Sequence, residues 1–164
     1  MPYRRNYRSY SNKQKWASFM KEIPKTQVQM SEGTGGSYAT IVANSNEGAT
    51  PTPTILKVKH LRVAADLYVD STALNGGFIC IMYLPQGITP DANTALLHPE
   101  WVLTWKGIQT SSATGHNLIQ FTSSLCRNLN SGDSIIMYFS FFNGTSTQVP
   151  ITFEARCSCV VRNN

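Results

Sequence analysis

The chain has 164 residues, of which 41% are apolar, so a single domain can bury a full hydrophobic core without disulfides or a metal. Charged residues make up only 14%, well below the ~25% of an average soluble domain, and this favours a surface that contacts other proteins, with self-association as the simplest case. The longest apolar run, Phe78–Leu84, is too short for a membrane-spanning helix, and the basic N-terminus has no apolar stretch typical of a secretory signal. We therefore expect no membrane insertion and a reducing compartment.

The first 25 residues carry half of the positive charge. They hold seven of the 14 Lys and Arg residues against one acid, whereas the remaining residues hold seven bases and eight acids. Such a segment cannot bury enough apolar surface to fold alone, but its cations can neutralise phosphates while its rings stack on bases. We predict a basic N-terminal arm over residues 1–25, disordered or extended, with a solvated tail or a localisation signal as the alternatives. Its predicted nucleic-acid-binding residues are Arg4, Arg5, Arg8, Lys13, Lys15, Lys21, Lys25, Tyr3, Tyr7, Tyr10 and Trp16.

After the arm, the pattern is one of strands and turns. The glycine-rich Gly33–Gly36 is predicted as a hinge, and Tyr38–Ala43 as the first clear strand. The long strand predicted over Ile55–Val69 changes its apolar parity, which indicates a bulge near Lys59–His60. Three bases of this strand are predicted to form a second phosphate-contacting patch, with a solvated strand face as the alternative; they are Lys57, Lys59 and Arg62.

Two of the predicted strands are apolar on both faces. Asn75–Gly77 is predicted as a turn into the first of them, Phe78–Leu84, and a long loop with one helical turn near Asp91–Leu97 follows. Ser134–Phe142 is the second, and the last predicted strand, Ile151–Val161, instead alternates apolar side chains along one face. Because a two-layer sandwich covers only one face of each sheet, the other face of these strands is covered either by loops or by a second subunit. The low surface charge favours the subunit.

Two tryptophans are candidates for such a contact. Trp101 and Trp105 alternate on a strand predicted to run to Ile108. We expect at least one of them to pack across a subunit boundary, because tryptophan is enriched at the centres of interfaces. The alternative is that both belong to the core of one subunit.

The sequence shows no pattern typical of catalysis or of metal binding. The three histidines are isolated, and Cys157 and Cys159 have the spacing of one strand face rather than of a zinc site. We expect the four cysteines to be reduced, mostly buried thiols. Asp66 and Asp70 could hold a cation at a subunit junction, although solvated strand-end acids are the simpler interpretation. The sequence thus predicts neither an enzyme nor a cofactor.

Three segments resemble the capsid proteins of small circular single-stranded DNA viruses, the circovirus-like group. They are Met1–Tyr10, Ile55–Val63 and Leu129–Tyr138, the last of which looks like the Gly-Asp turn before an inner strand of viral jelly rolls. The resemblance implies an all-β fold over residues 26–164, an eight-stranded antiparallel jelly roll. It also implies a closed icosahedral shell of about sixty copies, with the arm facing a single-stranded genome, DNA rather than RNA. The virion, with assembly in the host nucleus, is the implied location.

Other classes remain open. A trimeric jelly-roll signalling ligand of the tumour-necrosis type would be secreted or membrane-anchored, and the sequence shows neither signal. A monomeric nucleic-acid-binding barrel would spread its bases and rings over the folded surface, whereas here they concentrate in the arm. Small satellite plant RNA virus coats share the jelly roll. A net-positive arm beside a near-neutral body favours a shell that packages a polyanion.

Overall fold

The computed structural model describes residues 15–45, 55–69, 74–91, 93–108 and 115–163. Over these ranges the chain forms strands, one short helix, α1 (Thr94–Leu97), and a 3-10 turn at Pro99–Trp101. None of the helices in these ranges is long and apolar enough to cross a membrane. The strands are β1 (Ala17–Met30), β2 (Gly33–Ala43), β3 (Leu56–Val69), β4 (Leu74–Leu84), β5 (Val102–Ile108), β6 (Gly115–Ser123), β7 (Arg127–Leu129), β8 (Ser134–Asn143) and β9 (Val149–Asn163).

The strands form two antiparallel sheets packed face to face. The first sheet has the order β1-β9-β3-β6, with β7 also paired to β3, and the second sheet has the order β2-β8-β4-β5. This arrangement of sequence-distant neighbours in two sheets is a jelly-roll sandwich, so the predicted fold class is confirmed. The structure has nine strands rather than eight, because β6 and β7 lie one after the other along the same edge of β3.

The inward side chains of the two sheets form one hydrophobic core. Every second residue is buried from Leu61 to Val69 of β3 and from Val149 to Cys159 of β9, and Phe153 of β9 meets Phe139 of β8 edge to face, with ring centroids 4.9 Å apart. Cys157 and Cys159 lie buried in this core beneath the first sheet, the position predicted for them, and they are not paired in a disulfide. Burial raises the pKa of both thiols to about 11.

The bulge predicted in β3 is confirmed. The pairing of β3 with β9 changes register between Lys59 and Arg62, and His60 has a left-handed φ of 54°. The extra residue resets the alternation of side chains between the two faces. As a result Lys57, Lys59 and Arg62 all point away from the core, on the outer face of the first sheet.

Part of the outer face of the second sheet is covered by the chain itself. Among the described residues of the segment 85–101, Ala95 of α1 packs against Cys80, Met82 and Tyr138 in a second buried cluster. A loop rather than a neighbouring subunit therefore covers much of the second face of these strands. This is the alternative that the low surface charge had disfavoured.

Two glycine motifs lie in strands, where the sequence predicted a hinge and a turn. Gly33–Gly36 opens β2 and pairs with β8. Asn75–Gly77 lies in β4, where a register shift against β8 marks a bulge. Close packing accounts for Gly36, because a Cβ at this position would lie 2.6 Å from the Phe139 carbonyl oxygen and against the Tyr138 hydroxyl.

Candidate nucleic-acid interface

Four cations lie on the outer face of the first sheet, at the end where β1 begins, and a fifth, Lys15, lies beside Arg162 just before that strand. We term this group the basic end; its members are Lys15, Lys57, Lys59, Arg62 and Arg162. Lys57 of β3 and Arg162 of β9 are direct cross-strand partners, and Lys15 lines one shallow depression together with Arg162. None of the five forms an ion pair with a described carboxylate. Because like charges directly opposite each other destabilise a sheet, an anion bound here would relieve this repulsion.

Trp16 packs against two of these cations. The centroid of its ring lies 4.0 Å from the Lys59 Nζ atom and 5.0 Å from the Arg162 guanidinium carbon. Both distances are within the range of cation–π attraction. The Arg162 Nε atom is buried and has no hydrogen-bond partner among the residues that the structure describes. The Trp16 ring therefore attracts both Lys59 and Arg162 electrostatically.

The other end of the same face carries charges of both signs, and we term it the mixed end. Here the His116 Nδ1 atom lies 2.7 Å from the Asp66 Oδ2 atom, and Asp66 faces Glu154 across the strand pair. Glu22 lies 3.6 Å from Arg156 in a weak exposed ion pair. The acids paired on this face thus lie away from the basic end.

The mixed end offers no metal site that the structure supports. No group of three or more His, Cys, Asp or Glu side chains suited to a metal ion occurs in the described ranges. Asp66 is partnered by His116, and Asp70, the second member of the proposed cation pair, lies outside the described residues.

The structure brings together only part of the predicted nucleic-acid-binding set. Lys15, Trp16, Lys57, Lys59 and Arg62 meet at the basic end. The predicted residues Arg4, Arg5, Arg8, Lys13, Tyr3, Tyr7 and Tyr10 lie outside the described residues.

Lys21 and Lys25 lie within a strand of the sandwich. Strand β1 starts at Ala17 and pairs with β9 on both sides of a register shift between Ile23 and Thr26, so residues 17–23, predicted as part of the arm, are extended and paired with β9. Lys21 is opposite the buried Cys157 and hence on the inner side of this edge strand. Lys25 lies beside the mixed end, in a small depression that Asp66 also lines. Neither side chain belongs to the basic end.

Arg162 is the residue of the basic end that sequence reasoning missed. The last strand was predicted to end at Val161, whereas β9 continues to Asn163. The signal was present in the alternation of β9, because Arg156, Ser158 and Val160 occupy the outward positions that precede Arg162.

A second surface lies on the outer side of the second sheet, and we term it the apolar groove. It has a volume of about 420 Å³, and none of its lining residues is charged. The side chains of Leu96 and Trp105 in this groove are 70% and 66% exposed, and the neighbouring Leu97 is 71% exposed. The lining residues are Phe78, Cys80, Ala95, Leu96, Pro99, Val102 and Trp105. The groove is therefore the candidate contact surface of the second sheet.

The two tryptophans predicted on one strand have different environments. Trp101 lies in the 3-10 turn, because β5 begins only at Val102, and its ring stacks on His98 with centroids 3.9 Å apart. It also packs against the second buried cluster. Trp105 lies in β5 and is exposed. Of the two, Trp105 is the better candidate for a contact between subunits.

Solved structures that resemble this fold come from viruses. A chain of infectious bursal disease virus, Gx strain, aligns with a TM-score of 0.48 at 9% identity, over 90% of this chain and 32% of that chain. Desmodium yellow mottle tymovirus aligns with a TM-score of 0.41 at 15% identity, over 91% of this chain and 89% of that chain. The 60-mer BFDV capsid protein aligns with a TM-score of 0.40 at 10% identity, over 90% of this chain and 94% of that chain. This chain thus spans about a third of the bursal disease virus chain.

Neither a protein-family model nor a curated protein sequence matches the chain. All three TM-scores are below 0.5, so these likenesses carry no argument about function. The fold follows from the strand order of the chain itself.

Proposed function

We propose that this protein is a viral coat protein whose copies assemble into a closed shell around a single-stranded genome. The observation that carries the proposal is the difference between the two outer faces of the sandwich. One presents cations without acidic partners, and the other presents an apolar groove without charge. A shell subunit needs both kinds of surface, because it holds a polyanion on one side and contacts its neighbours through others.

In this proposal, the arm and the basic end bind the genome together. The last residue of the arm that the structure describes before Trp16, Lys15, already lies beside Arg162. Phosphates following the arm would therefore reach Lys57, Lys59 and Arg62 without a gap in positive charge. Such contacts are to the backbone of the nucleic acid and carry no sequence preference.

The apolar groove is proposed to bind a second copy of the chain. The groove carries no charge that could select a basic or an acidic ligand, and low charge on a subunit surface lets identical copies pack without repulsion. The sequence resemblance to circovirus-like capsid proteins adds the expectation of an icosahedral shell of about sixty copies and a DNA genome. Both expectations belong to the proposal.

Electron microscopy and light scattering of the full-length protein, with and without single-stranded DNA, test the proposal. Hollow particles of uniform size are the expected result. A monomer that binds single-stranded DNA would overturn the coat assignment and favour a nucleic-acid-binding β-barrel protein. A trimer without nucleic-acid affinity would favour the signalling-ligand class.

Deletion of residues 1–14 tests the arm, because it removes four bases and leaves β1 and the basic end intact. We expect the truncated protein to keep its fold and to bind single-stranded DNA more weakly. The dependence of log affinity on log salt should also flatten, by about 0.7 for each phosphate that the arm no longer neutralises. Equal binding by the truncated and intact chains would show that the arm does not contact nucleic acid.

A further inference from the structure

The position of Trp16 connects the arm to three strands of the first sheet. Trp16 immediately precedes β1, and its ring lies close to Arg162 of β9 and Lys59 of β3. A base-stacking tryptophan would offer its ring to the ligand. Here the ring already attracts two cations of the protein, so the sequence-based role of Trp16 needs a different interpretation.

The charges around the ring explain why it is needed there. Lys57 and Arg162 oppose each other across the strand pair, with Lys59 one outward position further along β3. Without the ring, these three mutually repelling side chains on long, flexible stems would be mobile in solvent. Binding a phosphate would then order them and cost conformational entropy. The negative face of an indole ring attracts both Lys59 and Arg162 and holds them on the sheet. A site whose cations are already in place binds an anion at a lower entropic cost.

We infer that Trp16 is a positioning residue that holds Lys59 and Arg162 in place for phosphate contact, and that Arg162 is a phosphate-binding residue. This inference rests on the proposed nucleic-acid function. It gives Trp16 an indirect role, in contrast to the stacking role predicted from sequence. It also makes the contributions of Trp16 and Arg162 to nucleic-acid affinity interdependent.

The two roles of Trp16 differ in how binding depends on salt. The affinity for oligo(dT) is measured at several NaCl concentrations for the intact protein and for Trp16→Ala, Trp16→Phe and Arg162→Ala. If Trp16 positions two cations, Trp16→Ala lowers the slope of log affinity against log salt by up to about 1.4, or about 0.7 for each phosphate that is no longer neutralised. Trp16→Phe keeps a ring face and should restore most of the slope. Tyr68→Ala, an exposed ring at the mixed end, serves as the matched control and should change nothing.

A direct stacking role gives the opposite pattern. Loss of one stacked base lowers affinity by about 5- to 150-fold at every salt concentration and leaves the slope unchanged. This result, or unchanged binding by Trp16→Ala, would overturn the inference. The double variant of Trp16→Ala and Arg162→Ala gives a second readout, since interdependent residues lose less together than the sum of their separate losses.

The controls separate this inference from the proposed function. If the intact protein binds no oligonucleotide, the proposed function fails. If it binds and the slope is insensitive to Trp16, only the inference fails. Circular dichroism establishes that each variant is folded. Should Trp16→Ala unfold, Trp16→Leu, which keeps apolar bulk but has no ring face, takes its place in the double variant with Arg162→Ala, and additive losses there would overturn the inference.

Discussion

The two outer faces of this sandwich differ far more than the fold requires. The outer face of the first sheet carries most of the charge, with cations that have no acidic partner at one end and paired charges of both signs at the other. The outer face of the second sheet is apolar, with a buried cluster under segment 85–101 and an exposed groove beside it. A sandwich needs only its inner faces to be apolar. The proposed function accounts for this difference by giving each outer face its own partner, nucleic acid on the first sheet and a second copy of the chain on the second.

The largest expected effect concerns the stability of these faces. Met82 points outward from the second sheet yet is fully buried, whereas Leu118 points outward from the first sheet and is 82% exposed. We expect Met82→Ala to lower the free energy of unfolding by about 2–5 kcal/mol, because it leaves a cavity beneath segment 85–101. Leu118→Ala should change it by less than about 0.5 kcal/mol. Urea unfolding monitored by circular dichroism measures both; equal effects would show that segment 85–101 does not cover the second sheet in solution.

Assembly is the next test, and Trp105 and Trp101 form a matched pair. Trp105→Ala should leave a stable, folded protein that assembles poorly, because the exposed ring is lost from the apolar groove. The substitution should weaken the free energy of subunit association by about 2 kcal/mol or more if Trp105 is central to the contact. Trp101→Ala should instead lower the stability of the subunit, since Trp101 packs on the second buried cluster. Light scattering and thermal unfolding separate the two effects, and normal particles from Trp105→Ala would remove the groove from the contact.

A smaller effect is expected from reversing one charge at the basic end. Lys57→Glu should weaken oligo(dT) binding and lower its salt slope by about 0.7, corresponding to one phosphate contact. Lys106→Glu, an exposed lysine of β5 outside the basic end, is the control and should have little effect. Titrations at three salt concentrations suffice. Equal losses in the two variants would indicate a general effect of net charge instead of a local site.

The smallest effect tests whether segment 85–101 stays closed. Cys80 lies beneath it, and burial raises the pKa of this thiol to about 12, whereas Cys126 is exposed beside the first sheet. The thiolate is the reactive species, so at pH 8 iodoacetamide should modify Cys126 in the native protein and spare Cys80. Mass spectrometry of the digested protein identifies the labelled cysteines. Rapid labelling of Cys80 would mean that the segment opens readily.

Sequence reasoning reached the fold because strand patterns carry most of their information locally. The alternation in Ile151–Val161 and the parity change in Ile55–Val69 each predicted a feature that the structure contains. The glycine motifs were misread because their reason is not local. Gly36 faces the Tyr138 ring and the Phe139 backbone, about a hundred residues away in the chain, and no pattern near Gly36 indicates that neighbour.

Only part of the candidate site could be predicted, because some of its residues meet through contacts between distant parts of the chain. Lys57, Lys59 and Arg62 were found because they are close together in the sequence. Arg162 was missed because it joins them only through the pairing of β9 with β3. Trp16 was included in the predicted set, but its contacts with Lys59 and Arg162 could not be read from a segment that was expected to be separate from the sheet.

The bulge at His60 has an evolutionary consequence. Lys57 and Lys59 share a face with Arg62 only because β3 has one residue more than a regular ladder would use. Losing that residue would hardly alter composition or hydropathy. It would, however, move the side chains of one half of the strand to the opposite face, so that either Arg62 or the two lysines would point into the core. Selection at this point of the chain therefore acts on length as well as on residue identity. Across a lineage, residue 60 should remain glycine, asparagine, aspartate or histidine, the residues that most readily adopt a positive φ, and single-residue deletions should be eliminated.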